Sequence, residues 1–192
     1  LSATPPTGPL RAAVMDLAYS TLRSFGRGDF LLAQLMTKPL TDVHVRCLLL
    51  IALNRLETRP EHAYATVDQA VTAASHLAAG NFKGLVNGVL RNFLRRQDEL
   101  LTRAKENLVA HYQHPAWWIT RLKKDHPHHW QAILSASNTH PPMTLRANLR
   151  HTPKGSSGRI TNAYFSAQLT AAGLTARAVG DAAWRLNKPV LT

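Results

Sequence analysis

The 192 residues predict a mainly α-helical protein. A helical bundle is expected over 1–112, a helical linker over 113–142 and a partial α+β unit over 143–192. Three observations carry this. Apolar residues recur at helical spacing from 10 to 112, with short loops and no alternating run. Alternation first shows in Met143-Thr144-Leu145-Arg146-Ala147-Asn148, beyond the Pro141-Pro142 boundary. Charge divides the same way: residues 1–100 hold 11 Lys/Arg against 8 Asp/Glu, and residues 101–192 hold 12 against 3.

Thr7-Gly8-Pro9 starts the first helix, because proline is tolerated in a first turn. Leu10, Val14, Leu17, Ala18, Leu22 and Phe25 form its expected buried stripe, and Gly26 and Gly28 its expected end. Asp29 is a cap for a short second helix carrying Phe30, Leu31, Leu32, Leu35 and Met36, stopped by Pro39. Thr41 or Asp42 caps a third, over 43–57. Its middle, Cys47 to Leu53, is apolar all round, which predicts a central helix. Thr66 and Gln69 make a capping-box pattern for a fourth, with Val67, Ala70, Val71, Ala74, Leu77 and Ala78 inward and Gly80 as its C-terminal cap.

A fifth helix is expected over 82–97, burying Leu85, Val86, Val89, Leu90, Phe93 and Leu94, and a sixth over 98–112. After Pro115, Trp117, Trp118 and Leu122, then Trp130, Ile133 and Leu134, give two short helices broken at Pro127. A strand at 143–148, a flexible loop at 154–158, a helix at 162–172 and a strand at 174–179 complete a strand–helix–strand reading.

Composition bounds the function. Hydrophobic residues make up 45% of the chain, enough for a core. The formal net charge of +12 calls for a polyanionic partner, nucleic acid before a membrane surface. The longest apolar run, Cys47 to Leu53, is far short of the ~18 residues of a membrane span. One cysteine excludes an intrachain disulfide, a four-cysteine zinc site and an iron–sulfur cluster, and a reducing, cytoplasmic setting fits. Residues 1–9 have neither the basic nor the apolar region of a signal peptide, and the start at Leu1 reads as a cut in a longer protein.

Catalytic signals are poor. No glycine-rich strand-to-helix turn of the dinucleotide or phosphate-loop type is present. Cys47 opens the most apolar run, so it is read as a buried, inert thiol. His126, His128 and His129 lack a ligand spacing and are read as a solvated turn, and no metal is expected. Binding signals are better. Lys83, Asn87, Arg91 and Arg95 follow at i, i+4 on the fifth helix, one polar stripe able to clasp phosphates, with Arg96 on the far edge of the apolar face. Arg23 and Arg27 flank the end of the first helix. Arg146, Arg150, Lys154 and Arg159 cluster around the first strand and its loop. Trp117, Trp118 and Trp130 are read as packing between segments before base stacking.

The stretch Asn81-Phe82-Lys83-Gly84-Leu85-Val86-Asn87-Gly88-Val89-Leu90-Arg91 resembles the hallmark of NusB-like RNA-binding domains. So do Ala18-Tyr19-Ser20-Thr21-Leu22-Arg23 and the segment from His62 to Ala70. His114-Pro115-Ala116-Trp117-Trp118, Asn138 and Pro141 to Asn148 resemble the linker after that domain in bacterial small-subunit ribosomal RNA cytosine-C5 methyltransferases of the B type (Sun/Fmu). The resemblance covers about 10–185. It implies a NusB-like helical bundle, a connecting region and a ferredoxin-like subdomain. It also implies a Rossmann-type domain that binds S-adenosylmethionine and carries two catalytic cysteines.

On this resemblance the chain ends before that catalytic part, and the family's usually basic first helix is missing before Leu1. The expected role is therefore binding of small-subunit ribosomal RNA, with no catalytic residue and no cofactor in this chain. S-adenosylmethionine belongs to the full-length enzyme. The RNA-binding residues are expected to be Arg23, Arg27, Lys83, Asn87, Arg91, Arg95, Arg146 and Arg150. The alternative is a stand-alone NusB-like antitermination factor, against which the roughly eighty residues after the bundle argue. A third reading is a protein-interaction module whose charge is incidental.

Overall fold

The computed structural model describes residues 7–139, 141–148, 150, 161–188 and 190. The chain divides into two compact units, Leu1–Asn138 and Thr139–Thr192.

In the first unit Thr7 is the N-cap of α1 (Gly8–Arg23), with proline in its first turn. The chain kinks at Ser24 and continues as α2 (Phe25–Leu35). Gly26 and Gly28 therefore lie inside α2 and do not end a helix. Their reason is packing: a Cβ on Gly26 would meet the Val109 carbonyl oxygen at 2.9 Å, and one on Gly28 would meet Leu50 Cδ2 at 3.2 Å. Asp29, expected to cap, instead pairs with Arg46 from mid-helix.

Asp42 caps α3 (Val43–Thr58), its side chain accepting from the Val45 amide at 2.9 Å. Val45, Leu49, Leu53 and Leu56 are fully buried on one side of α3, and Leu50 and Ala52 almost so. Each such leucine contributes roughly 1.5–3 kcal/mol by leaving water. Cys47 is the correction here, because its side chain is exposed. A helix apolar all round still has one side without a neighbour, and Cys47 lies about 200° around α3 from Val45 at 100° per residue.

A 3₁₀ turn at Pro60–His62 leads into α4 (Ala63–Ser75), so Thr66 is inside the helix and caps nothing. Proline at the start of the 3₁₀ turn begins the helical path one turn early. The helix ends at Ser75. Gly80 (φ +79°) closes the left-handed connection Ala78–Gly80 that turns the chain into α5 (Lys83–Arg95). Val86, Val89, Leu90 and Phe93 of α5 join the core.

The expected sixth helix is two: α6 (Gln97–Glu106) and α7 (Leu108–Tyr112). Asn107 restarts the chain by accepting from the Ala110 amide at 3.0 Å. Arg27 joins α2, α3 and α7 by pairing with Glu57 and donating to the Ala110 carbonyl at 3.2 Å. Asn54, buried on α3, donates to Ser24 Oγ at 2.5 Å and so ties α3 to the α1–α2 kink.

The α1 stripe departs from expectation. Leu10, Val14, Leu22 and Phe25 remain exposed. Beside α1, an open groove of about 480 Å³ runs between α1, α3 and α4, lined by Ala13, Leu17, Leu48, Ile51 and Ala65.

Helices α8 (Ala116–Asp125) and α9 (Trp130–Ser137) pack on α7 through Tyr112, Ile119, Leu122 and Leu134. Tyr112 meets Trp130 edge-on at 5.2 Å, and Asn138 Nδ2 donates to the Tyr112 carbonyl at 2.7 Å. His114 joins the same clamp through Ser137, with Nε2 and Oγ 3.0 Å apart. Trp130 thus packs as read from the sequence. Trp117 does not: it is 69% exposed, on the side of α8 turned away from Ile119 and Leu122.

The second unit holds β1 (Thr144–Arg146), α10 (Asn162–Ala171), β2 (Ala176–Gly180) and β3 (Ala183–Leu186). The sheet is antiparallel in the order β1-β3-β2. A strand–helix–strand reading therefore missed the central strand, β3. It returns from β2 through Asp181-Ala182, with a bulge between Ala178 and Gly180. Trp184 and Leu186 of β3 pack on Phe165 and Leu169 of α10, the Phe165 and Trp184 ring centres 4.9 Å apart.

Candidate nucleic-acid interface

On α5 the apolar and polar faces separate cleanly. Val86, Val89, Leu90 and Phe93 point inward, while Lys83, Arg91 and Arg95 are exposed and Asn87 is half-buried. At 3.6 residues per turn, four side chains spaced by four drift only slowly around the helix, so they form one ridge. Arg91 Nε donates to Asn87 Oδ1 at 2.9 Å. This leaves the terminal nitrogens of Arg91 and the amide nitrogen of Asn87 as donors. Gly84 and Gly88 lie on the same solvent side, with nothing within 4 Å of where a Cβ would stand. Among the described residues, no acidic side chain pairs with Lys83, Arg91 or Arg95.

The next cation is different. Arg96 donates from Nε to Glu99 at 2.9 Å, and Arg103 pairs with the same carboxylate at 3.1 Å. The hydrogen bond from Arg96 holds the Glu99 carboxyl below the ordinary carboxylate range, and Arg96 holds its own proton more firmly in return. Glu99 thus occupies two guanidiniums just beyond the C-terminal end of α5, to the side of the ridge.

Beside the ridge lies a groove of about 430 Å³ between α4 and α5. Val67, Val71 and Leu94 line it, with Asn87 and Arg91 along the α5 wall and Tyr64 and Asp68 on the α4 wall. Tyr64 and Asp68 were not singled out from the sequence. The signal was available: Tyr64, Asp68 and Val71 recur at i, i+4 and i+7 on the flank of the α4 apolar stripe.

The other sequence candidates are scattered. Arg23 is exposed in the last turn of α1. Arg27 is engaged with Glu57 and the Ala110 carbonyl and presents no open guanidinium ridge. Arg146, the last residue of β1, and Arg150, whose amide donates to Asn148 at 3.2 Å, are exposed in the second unit. Lys154 and Arg159 lie outside the described residues. Among the described residues, no group of three His, Cys, Asp or Glu is placed to hold a metal ion, and no helix is long and apolar enough to cross a membrane.

Comparison with known proteins gives two family matches. The NusB family model matches residues 3–95, and the model described as "Methyltr_RsmF/B-like, ferredoxin-like domain" matches 114–191. Among curated relatives, the ribosomal RNA small subunit methyltransferase B of Yersinia pestis bv. Antiqua (strain Angola) is 39% identical over 143 residues, 73% of this chain. That of Pectobacterium carotovorum subsp. carotovorum (strain PC1) is 38% identical over the same length. The chain spans about a third of the length of these relatives, 33% in each. With a NusB match followed by this ferredoxin-like match, the chain is similar to the NusB-bearing region of ribosomal RNA small subunit methyltransferase B.

Proposed function

We propose that this chain is the RNA-binding region of an S-adenosylmethionine-dependent enzyme that methylates carbon 5 of a cytosine in small-subunit ribosomal RNA, in the cytoplasm. The chain holds RNA so that a catalytic domain outside it reaches the base. The observation that carries this reading is the α5 ridge. Lys83, Arg91 and Arg95 stand exposed, with no acidic partner among the described residues, on a helix anchored by Phe93 and Leu90. Phosphates are bound by such fixed, desolvatable cations, and each contact releases counterions. Arg23 in the first unit and Arg146 and Arg150 in the second extend the proposal; Arg27 belongs to it only if its pairing with Glu57 opens.

The described residues do not fit S-adenosylmethionine. Among the described residues the strands pair only antiparallel, so no parallel strand is present to lead into a nucleotide-binding turn. The methyl transfer itself is therefore assigned to no residue here. The ferredoxin-like match over 114–191, beyond the NusB match, favours a methyltransferase region over a stand-alone antitermination factor.

The test is binding of the full chain to a fluorescently labelled small-subunit ribosomal RNA hairpin over a series of salt concentrations. The expected result is binding whose log–log salt dependence has a slope of about −0.7 per contact on single strands. Absence of RNA binding at low salt would overturn the reading.

A further inference from the structure

The α5 ridge accounts for phosphates but leaves the α4–α5 groove unexplained. Tyr64 is 86% exposed at the start of α4, so its ring contributes little to the core. An aromatic ring in water beside an apolar groove offers a flat face to another ring. The groove, about 430 Å³, falls within the range of roughly 300–1,000 Å³ that holds small ligands.

Its charges are arranged asymmetrically. Arg91, aligned by its hydrogen bond to Asn87, stands on the α5 wall, and Asp68 stands on the α4 wall with Tyr64. A phosphate is drawn to the first wall and repelled by the second. A nucleotide entering the groove therefore lies with its backbone along α5 and its base toward α4. With Asn87 Oδ1 accepting from Arg91, the Asn87 amide nitrogen keeps its two donors for a base edge or a sugar.

Resting on the RNA-binding reading, we propose that the groove between α4 and α5 captures one unstacked nucleotide of single-stranded RNA, its base stacked on Tyr64 and its phosphate on Arg91. Single-stranded RNA is the occupant the charge selects. The two open arginines of α5 call for a polyanion, and only an unpaired base exposes a face to Tyr64.

The experiment measures fluorescence anisotropy of a short single-stranded oligoribonucleotide, and of the duplex of the same sequence, with the full chain over a series of KCl concentrations. Tyr64→Ala is expected to weaken single-strand binding about 10-fold and to leave duplex binding unchanged. The salt slope should stay as in wild type, because no charge is lost. Tyr64→Phe, which keeps the ring, should stay within about twofold of wild type. Both variants should melt with the wild type, since the side chain is exposed. The proposal is overturned if Tyr64→Ala binds the single strand as tightly as wild type, as it would if the groove served a protein partner. It is also overturned if single strand and duplex weaken equally. Failure of the underlying reading looks different: wild type itself would then bind neither RNA, and both proposals would fall.

Discussion

Arg91 Nε donates to Asn87 Oδ1 across one turn of α5, at 2.9 Å. The pair turns a flexible side chain into an aligned one and keeps two terminal nitrogens for a phosphate. Replacing Arg91 and Arg95 together by Ala should weaken RNA binding across sequences and flatten the salt slope by about one to two units. Salt-titrated anisotropy with a small-subunit hairpin checks this. Circular dichroism should show an unchanged melt, because both side chains lie outside the apolar face. Should Arg146→Ala with Arg150→Ala flatten the slope instead, the RNA surface belongs to the second unit.

Glu99 neutralises Arg96 and Arg103 just past the C-terminal end of α5. Glu99→Gln should raise RNA affinity severalfold and steepen the salt slope by about one unit as the two guanidiniums become available. Stability should barely move, since the pairs are exposed. The pH dependence has a definite sign. A carboxyl whose folded pKa is lowered contributes its ion pair above the unfolded value and loses it as pH falls through the lowered one. Wild-type masking should therefore stay constant between about pH 5 and 8. A variant indistinguishable from wild type in affinity and slope at neutral pH would contradict the masking role.

Leu50 meets the α2 backbone where Gly28 leaves room, within 3.2 Å of where a Cβ would stand. Leu50→Asp would bury a carboxylate with no partner and should cost about 3–5 kcal/mol. Urea unfolding of the full chain measures it. An unchanged midpoint would remove Leu50 from the core.

Cys47 should react with a maleimide in the native protein, one label per chain, without denaturant. Mass spectrometry before and after unfolding decides. Labelling only after unfolding would restore the thiol to the interior.

Period and punctuation were enough to read most helices. Leu49, Leu53 and Leu56, or Val86, Leu90 and Phe93, declare a buried side because a helix must hide an apolar face somewhere. Asp42 and Thr7 announced their caps because the free amides of a first turn need an acceptor or a proline. The cation ridge of α5 was legible for the same reason, being a matter of spacing within one helix. The motif around Asn87 and Arg91 pointed to the family that the comparisons bear out.

Tertiary structure decided what depends on neighbours. Gly26 and Gly28 look like breakers until Val109 and Leu50 are seen against them. Cys47, Leu10, Val14 and Trp117 are apolar in sequence and exposed in the fold, because periodicity says which side is apolar and not whether anything covers it. Strand β3 is short, and its place in the middle of the sheet comes from pairing with β1 and β2, partners distant or reversed in the chain. Arg27 and Arg91 are equal as letters. One is drawn into Glu57 and the other left toward solvent, because charge is set by the sequence but its availability by whatever packs beside it.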